Sequence, residues 1–151
     1  MAAVRSHQHQ HQHQHQHQHQ LTKGPCLQAL CTAAEAGDAA AVRKLVACRV
    51  DLLVLDKKNE NGMTPLMYAA HGHLEIAEAL VDAGAGVDLQ DSEGGSTALH
   101  HAAAYNRPAV VRLLMSRAAN RTITDNDGMT ALEHAVQFGN TECAGALDEA
   151  P

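Results

Sequence analysis

The sequence predicts an all-α solenoid: about four helix-turn-helix units joined by hairpin loops and stacked side by side, behind a disordered His-Gln tail. Three observations lead there. The segment Gly62-Met-Thr-Pro-Leu-Met-Tyr-Ala-Ala recurs as Gly95-Ser-Thr-Ala-Leu-His-His-Ala-Ala and again as Gly128-Met-Thr-Ala-Leu-Glu-His-Ala-Val. Its threonines, Thr64, Thr97 and Thr130, set a period of 33 residues both times, and periods of this size mark stacked repeats. The chain also has two tyrosines, one phenylalanine and no tryptophan. Small apolar side chains suit thin helices that approach closely, so this composition favours a stack over a globule.

Residues 1–24 read as a low-complexity tail. Within it, residues 7–20 are consecutive His-Gln pairs with no apolar period, so they bury no face and are expected to be disordered. His7, His9, His11, His13, His15, His17 and His19 could chelate Zn, Ni or Cu loosely through neutral imidazole. They would also titrate near about pH 6.5. A tract without a role, an affinity tag and a metal or proton sensor all remain open.

Residues 26–150 carry the repeats, laid out as 26–58, 59–92, 93–126 and 127–150. In the second unit Thr64-Pro65 opens a helix, with threonine as cap and proline at the first helical position. Ala69 and Ala70 let neighbouring first helices pack, and Gly72-His73 turns into a second helix with an apolar stripe of Leu74, Ile76, Ala77, Leu80 and Val81. Gly84 ends it. The third unit repeats this with Thr97, Ala102-Ala103 and Val110, Val111, Leu113 and Leu114. The fourth uses Thr130, Gly139-Asn140 and Cys143, Ala146 and Leu147, and reads as a terminal cap. The first keeps the two-helix pattern through Leu27, Leu30, Ala33, Ala34, Val42, Leu45 and Val46 without the threonine opening, as an outermost repeat does. The loop after it, 49–61, is unusually long and apolar.

These cores resemble the ankyrin repeat, over roughly residues 26–150. The resemblance implies a non-catalytic protein-binding module whose His100 ties adjacent repeats together. Between Ala70 and Gly72 there is one residue where ankyrin repeats usually have two, so the first helix of the second unit should be short. One extra residue falls around Glu93-Gly94-Gly95. A clipped helix in the second of four repeats, followed by a longer loop, is similar to the ankyrin inhibitors of cyclin-dependent kinases, an alternative reading.

The resemblance also implies that a partner docks on the concave side, along hairpin tips and first-helix edges. The tips are Glu60, Asn61, Met63, Glu93, Ser96, Asn126, Asp127 and Met129. The helix edge is Glu35, His71, Tyr105, Gln137 and Phe138. Tyr105 and Phe138, at one position of adjacent units, are expected to form an apolar centre with Met63 and Met129 inside an acidic rim, since aromatic anchors concentrate interface energy.

The net charge is -6, and residues 21–151 are one unit more negative because Arg5 lies in the tail. No Lys/Arg cluster offers a footprint for nucleic acid or anionic membrane. No apolar run reaches the length of a membrane span, so a protein partner and a monomeric chain are expected. Cys26, Cys31, Cys48 and Cys143 form no C-x-x-C pair, and free thiols in cytoplasm or nucleus are the expectation. Cys31, Cys48 and Cys143 read as buried and Cys26 as the most exposed. No catalytic constellation, phosphate loop or cofactor motif stands out. Asp125-Asn126-Asp127-Gly128 resembles the start of a calcium loop, but Val136 stands at the twelfth position and a hairpin turn explains the run better.

Overall fold

The computed structural model describes residues 23–48 and 52–149. The His-Gln tract, with its seven candidate metal ligands, lies outside them. Among the described residues there are helices and turns and no strand. The helices are α1 (Lys23–Ala36), α2 (Ala39–Ala47), α3 (Leu52–Leu55), α4 (Pro65–Ala69), α5 (Leu74–Asp82), α6 (Ala98–Ala104), α7 (Pro108–Ser116), α8 (Ala131–Gln137) and α9 (Thr141–Glu149). The first begins at Lys23, inside the span 1–24 read as tail. Pro25 falls in its first turn, where a missing N–H costs nothing.

Two layers result. In the inner layer α1 packs on α4, α4 on α6 and α6 on α8; in the outer layer α2 packs on α5, α5 on α7 and α7 on α9. The seam between them holds Leu30, Val42, Leu66, Ile76, Leu80, Leu99, Val110, Val111, Leu114 and Leu147, each nearly inaccessible. Ala69, Ala70, Ala102, Ala103 and Ala135 are fully buried where inner helices meet, which is why this layer tolerates nothing larger.

Each inner helix after the first starts on a threonine cap. The N–H groups of Met67, His100 and Glu133 donate to Thr64, Thr97 and Thr130 Oγ1 at 3.4, 3.4 and 3.3 Å. The reciprocal bond is made by three different chemistries: Thr64 N–H to Met67 Sδ at 3.4 Å, Thr97 N–H to His100 Nδ1 at 3.1 Å and Thr130 N–H to Glu133 Oε2 at 2.7 Å. The expected clipping of the second unit is present, since α4 has 5 residues against 7 in α6 and in α8.

The hairpins at 59–63, 91–96 and 125–129, which straddle the unit bounds drawn from sequence, are turns each closed by one backbone bond, and successive hairpins are joined by another. Asn59 N–H donates to Met63 carbonyl and Asp125 N–H to Met129, both at 2.9 Å, whereas Asp91 reaches Ser96 at 2.8 Å. The third unit's hairpin is therefore one residue longer, where the sequence placed the extra residue. Ser92 N–H meets the Gly62 carbonyl at 3.0 Å and Asn126 N–H the Gly94 carbonyl at 2.8 Å. Glycine is required at these crossings. Gly62 and Gly95 have φ of 71° and 69°, and a Cβ would lie 2.6 Å from Ser92 Cβ and 2.5 Å from Asn126 Oδ1.

The apolar stretch after the first unit folds as the helical turn α3, which tucks Val54 and Leu55 into the core and leaves Leu53 outside. Of the cysteines, all free, Cys31 and Cys143 are buried as expected, but Cys48 is the exposed one and Cys26 is half-buried. Cys48 caps the end of α2, beyond the stripe that faces the seam, while Cys26 lies on α1. Burial, and then the nearby Glu35 carboxylate, push the Cys31 thiol up to about 11, so it is inert at neutral pH.

Candidate protein-docking face

Two of the four inner helices end on aromatic residues. Tyr105 and Phe138 close α6 and α8 as C-caps, and they are 51% and 58% exposed. Two of the three Phe and Tyr rings in the sequence are thus exposed, as are Val136 of α8 and Leu53 of α3. Tyr105 stacks on His71 from the previous repeat, with centroids 4.1 Å apart and planes inclined by 23°. Phe138 lies beside His134, with centroids at 6.1 Å. Gln137, next to Phe138, is exposed, as are the hairpin residues Glu60, Glu93 and Asp127.

The remaining expected contacts are placed differently. Met63 is half-buried and packs on the core, and Met129 is half-buried with its carbonyl engaged by His100. Ser96 is half-buried and closes the long hairpin. Asn61 turns its amide to the Tyr68 hydroxyl at 2.9 Å, beside Asn59 at 3.0 Å, and Asn126 donates to the Glu93 carbonyl at 3.2 Å. Asn61 thus ties its own hairpin to α4 and Asn126 stitches two successive hairpins, while both also face outward. Glu35 is exposed, and its carbonyl pairs with His73 Nε2 at 3.2 Å.

A line of polar side chains runs along the inner layer and bonds to the hairpins. Tyr68, His101 and His134 share one position in successive units, and each engages the base of its own hairpin. His101 Nε2–H donates to Asp91 Oδ2 at 2.9 Å and His134 Nε2–H to Asp125 Oδ2 at 2.6 Å. Both carboxylates are little exposed. Burial raises the Asp91 carboxyl, but the bonds from Gly94 N–H and His101 outweigh it and hold it below the usual range. Burial works against Asp125 too, and is outweighed by His134 and by the Met129 and Asp127 amides. Burial depresses His101, with Asp91 offsetting part of the effect.

His100 lies deeper. Its Nδ1 accepts from Thr97 N–H, so Nε2 carries the proton and donates to the Met129 carbonyl of the next repeat at 2.9 Å. Burial keeps it neutral, partly offset by that carbonyl. Asn140 adds a second tie between these repeats through the Ala103 and Ala104 carbonyls at 2.7 and 3.2 Å. This inter-repeat use of the histidine in Thr-Ala-Leu-His is what the sequence resemblance implied. The family model described as ankyrin repeats (3 copies) matches residues 1–91 and 83–149.

The chain belongs to the ankyrin repeat family.

Ankyrin repeats are in general protein–protein interaction modules and typically non-catalytic. Diacylglycerol kinase iota of Rattus norvegicus is 36% identical over 111 residues, covering 65% of this chain and 11% of that protein. Inversin of Canis lupus familiaris is 36% identical over 112 residues, covering 74% of this chain and 10% of its own length. Ankyrin repeat and SAM domain-containing protein 6 of Mus musculus is 38% identical over 76 residues, or 50% of this chain and 9% of that protein. The chain thus spans about a tenth of the length of these relatives.

Among the described residues no group of three or more His, Cys, Asp or Glu side chains is arranged to hold a metal ion, and no helix is long and apolar enough to cross a membrane.

Proposed function

We propose that this chain is a non-catalytic adaptor that captures a protein partner on its concave side, with Tyr105 and Phe138 as anchors. One observation supports this above the rest: two large rings stand more than half exposed at equivalent positions of adjacent repeats, at the ends of inner helices whose other apolar side chains, Val136 apart, are buried or half-buried. Tyr105, held by stacking on His71, loses little freedom on binding, which favours its use as an anchor. Glu60, Glu93 and Asp127 supply an acidic rim, so the partner presents an apolar segment flanked by basic side chains. In this reading the chain works as a monomer in cytoplasm or nucleus, with no nucleic acid or membrane as its target. Tyr105→Ala with Phe138→Ala should weaken partner capture at least 10-fold with unchanged helical circular dichroism. Unchanged capture would move the docking face elsewhere.

A second reading is favoured by one feature. The 5-residue α4 followed by the lengthened hairpin at 91–96 matches the pattern of the ankyrin inhibitors of cyclin-dependent kinases. Binding of this chain to a purified cyclin-dependent kinase subunit would make that the partner class, and no binding at micromolar concentration removes it.

A further inference from the structure

Two imidazoles from different repeats meet nitrogen to nitrogen beneath the docking face. His71 Nε2 lies 3.3 Å from His101 Nδ1, and the ring centroids are 5.2 Å apart. Two nitrogens bound at ordinary length to one tetrahedral metal are separated by about 3.3 Å. Each ring is also held in place. His101 Nε2–H donates to Asp91 Oδ2 at 2.9 Å, and this leaves Nδ1 as a bare lone pair facing His71. Asp91 is anchored in turn by the Gly94 N–H at 2.7 Å. A carboxylate bonded to the far nitrogen of a histidine is the usual support behind a metal ligand, fixing tautomer and orientation. His71 is clamped by the Tyr105 ring at 4.1 Å. Both residues are only half-buried, so water can reach the gap.

We propose that His71 and His101 form a two-histidine chelate for a divalent late first-row metal ion (Zn2+, Ni2+ or Cu2+), with the remaining coordination positions left to water. Imidazole suits these ions and not Ca2+ or Mg2+. Before metal enters, His71 Nε2–H donates to His101 Nδ1. On binding, His71 shifts to its Nδ1–H tautomer and Nε2 becomes a ligand, with no net proton released. Both rings are neutral at pH 7, because burial holds His71 down to about 4, with the charges of His101, His73 and Arg107 adding to the effect, and burial lowers His101 as well. Arg107, whose Nε–H donates to the His71 carbonyl at 2.7 Å, opposes a cation and keeps the affinity moderate. The chelate joins the second repeat to the third, so it forms only in the folded stack, and it does not depend on the docking reading.

The test is thermal unfolding of the full chain with and without Zn2+. The His-Gln tract is kept in every variant, so whatever metal it takes is common to all and cancels in the comparison. At Zn2+ tenfold above its dissociation constant, Tm should rise by roughly 5 °C in the parent and in His73→Gln, and not in His71→Gln or His101→Gln. An equal rise in all four, or none in the parent, overturns the proposal. If either histidine variant fails to fold, imidazole 15N shifts of the parent decide. Zn2+ should move His71 Nε2 and His101 Nδ1 together, and unmoved resonances reject the site.

Discussion

Repeats two and three open with the same threonine cap and differ in what closes it, Met67 against His100. Both side chains are buried and both complete the cap. Only His100 has a second polar atom to spend, and it reaches Met129 in the next repeat at 2.9 Å. Met67 ends at the cap, so the junction between repeats two and three is made by other means: the hairpin bond from Asn126 to Gly94 belongs to the later junction, while Ser92 to Gly62, His71 against His101 and Arg107 to the His71 carbonyl serve the earlier one. One local motif can therefore be kept while the load between repeats moves from a deep histidine to the surface of the inner layer.

The largest effect should come from removing that second atom. His100→Leu is expected to cost about 2–3 kcal/mol, because it leaves the Met129 carbonyl and a cap N–H without partners in the interior. Met67→Leu keeps volume, loses only a weak sulfur contact and should cost less than about 1.5 kcal/mol. Urea unfolding of both variants measures the contrast, and equal losses would erase it.

Acid should sharpen the same comparison. His71, His100 and His101 all have folded-state values below the ordinary 6.5, with His71 near 4, chiefly through burial. The unfolded chain takes up these protons first, so stability is complete above about pH 6.5 and declines as pH falls towards 4. His71→Phe, which keeps a ring under Tyr105, should flatten the decline in that window. The urea midpoint followed against pH reads it.

A smaller effect concerns the third repeat alone. Ala118 holds φ 61° where the second repeat has Gly84 at φ 101°. Ala118→Gly should raise stability by up to about 1 kcal/mol, since alanine is strained there. A loss would show that the alanine methyl is held by packing. Smallest of all is the outer-layer pair Arg117–Asp82, 2.7 Å apart and largely exposed. Arg117→Ala should shift stability by about 0.2–1 kcal/mol and less in high salt.

Much of this was legible in the chain. The 33-residue phase located α4, α6 and α8, the three threonine caps and the glycine turns. The missing residue after Ala70 gave the short α4. What escaped were pairings whose spacing varies. Asp91 precedes His101 by 10 residues and Asp125 precedes His134 by 9, because the longer hairpin shifts one carboxylate out of phase. The helical turn α3 was hidden because four apolar residues carry no period. Asn61, Asn126 and Met63 read as free tips, yet Asn61 bonds Tyr68 of its own unit, Asn126 the preceding hairpin, and Met63 packs on the core. Nothing in an alanine announces the left-handed backbone at position 118. Exposure of Cys48 depended on where α2 ends, and helix ends are the least certain part of any sequence reading.

Hydrogen exchange on the captured complex tests the concave docking face most directly. Amides of the hairpins at 59–63, 91–96 and 125–129, and those around Tyr105 and Phe138, should gain protection when the partner is bound. Protection confined to the outer helices α2, α5, α7 and α9 would contradict it.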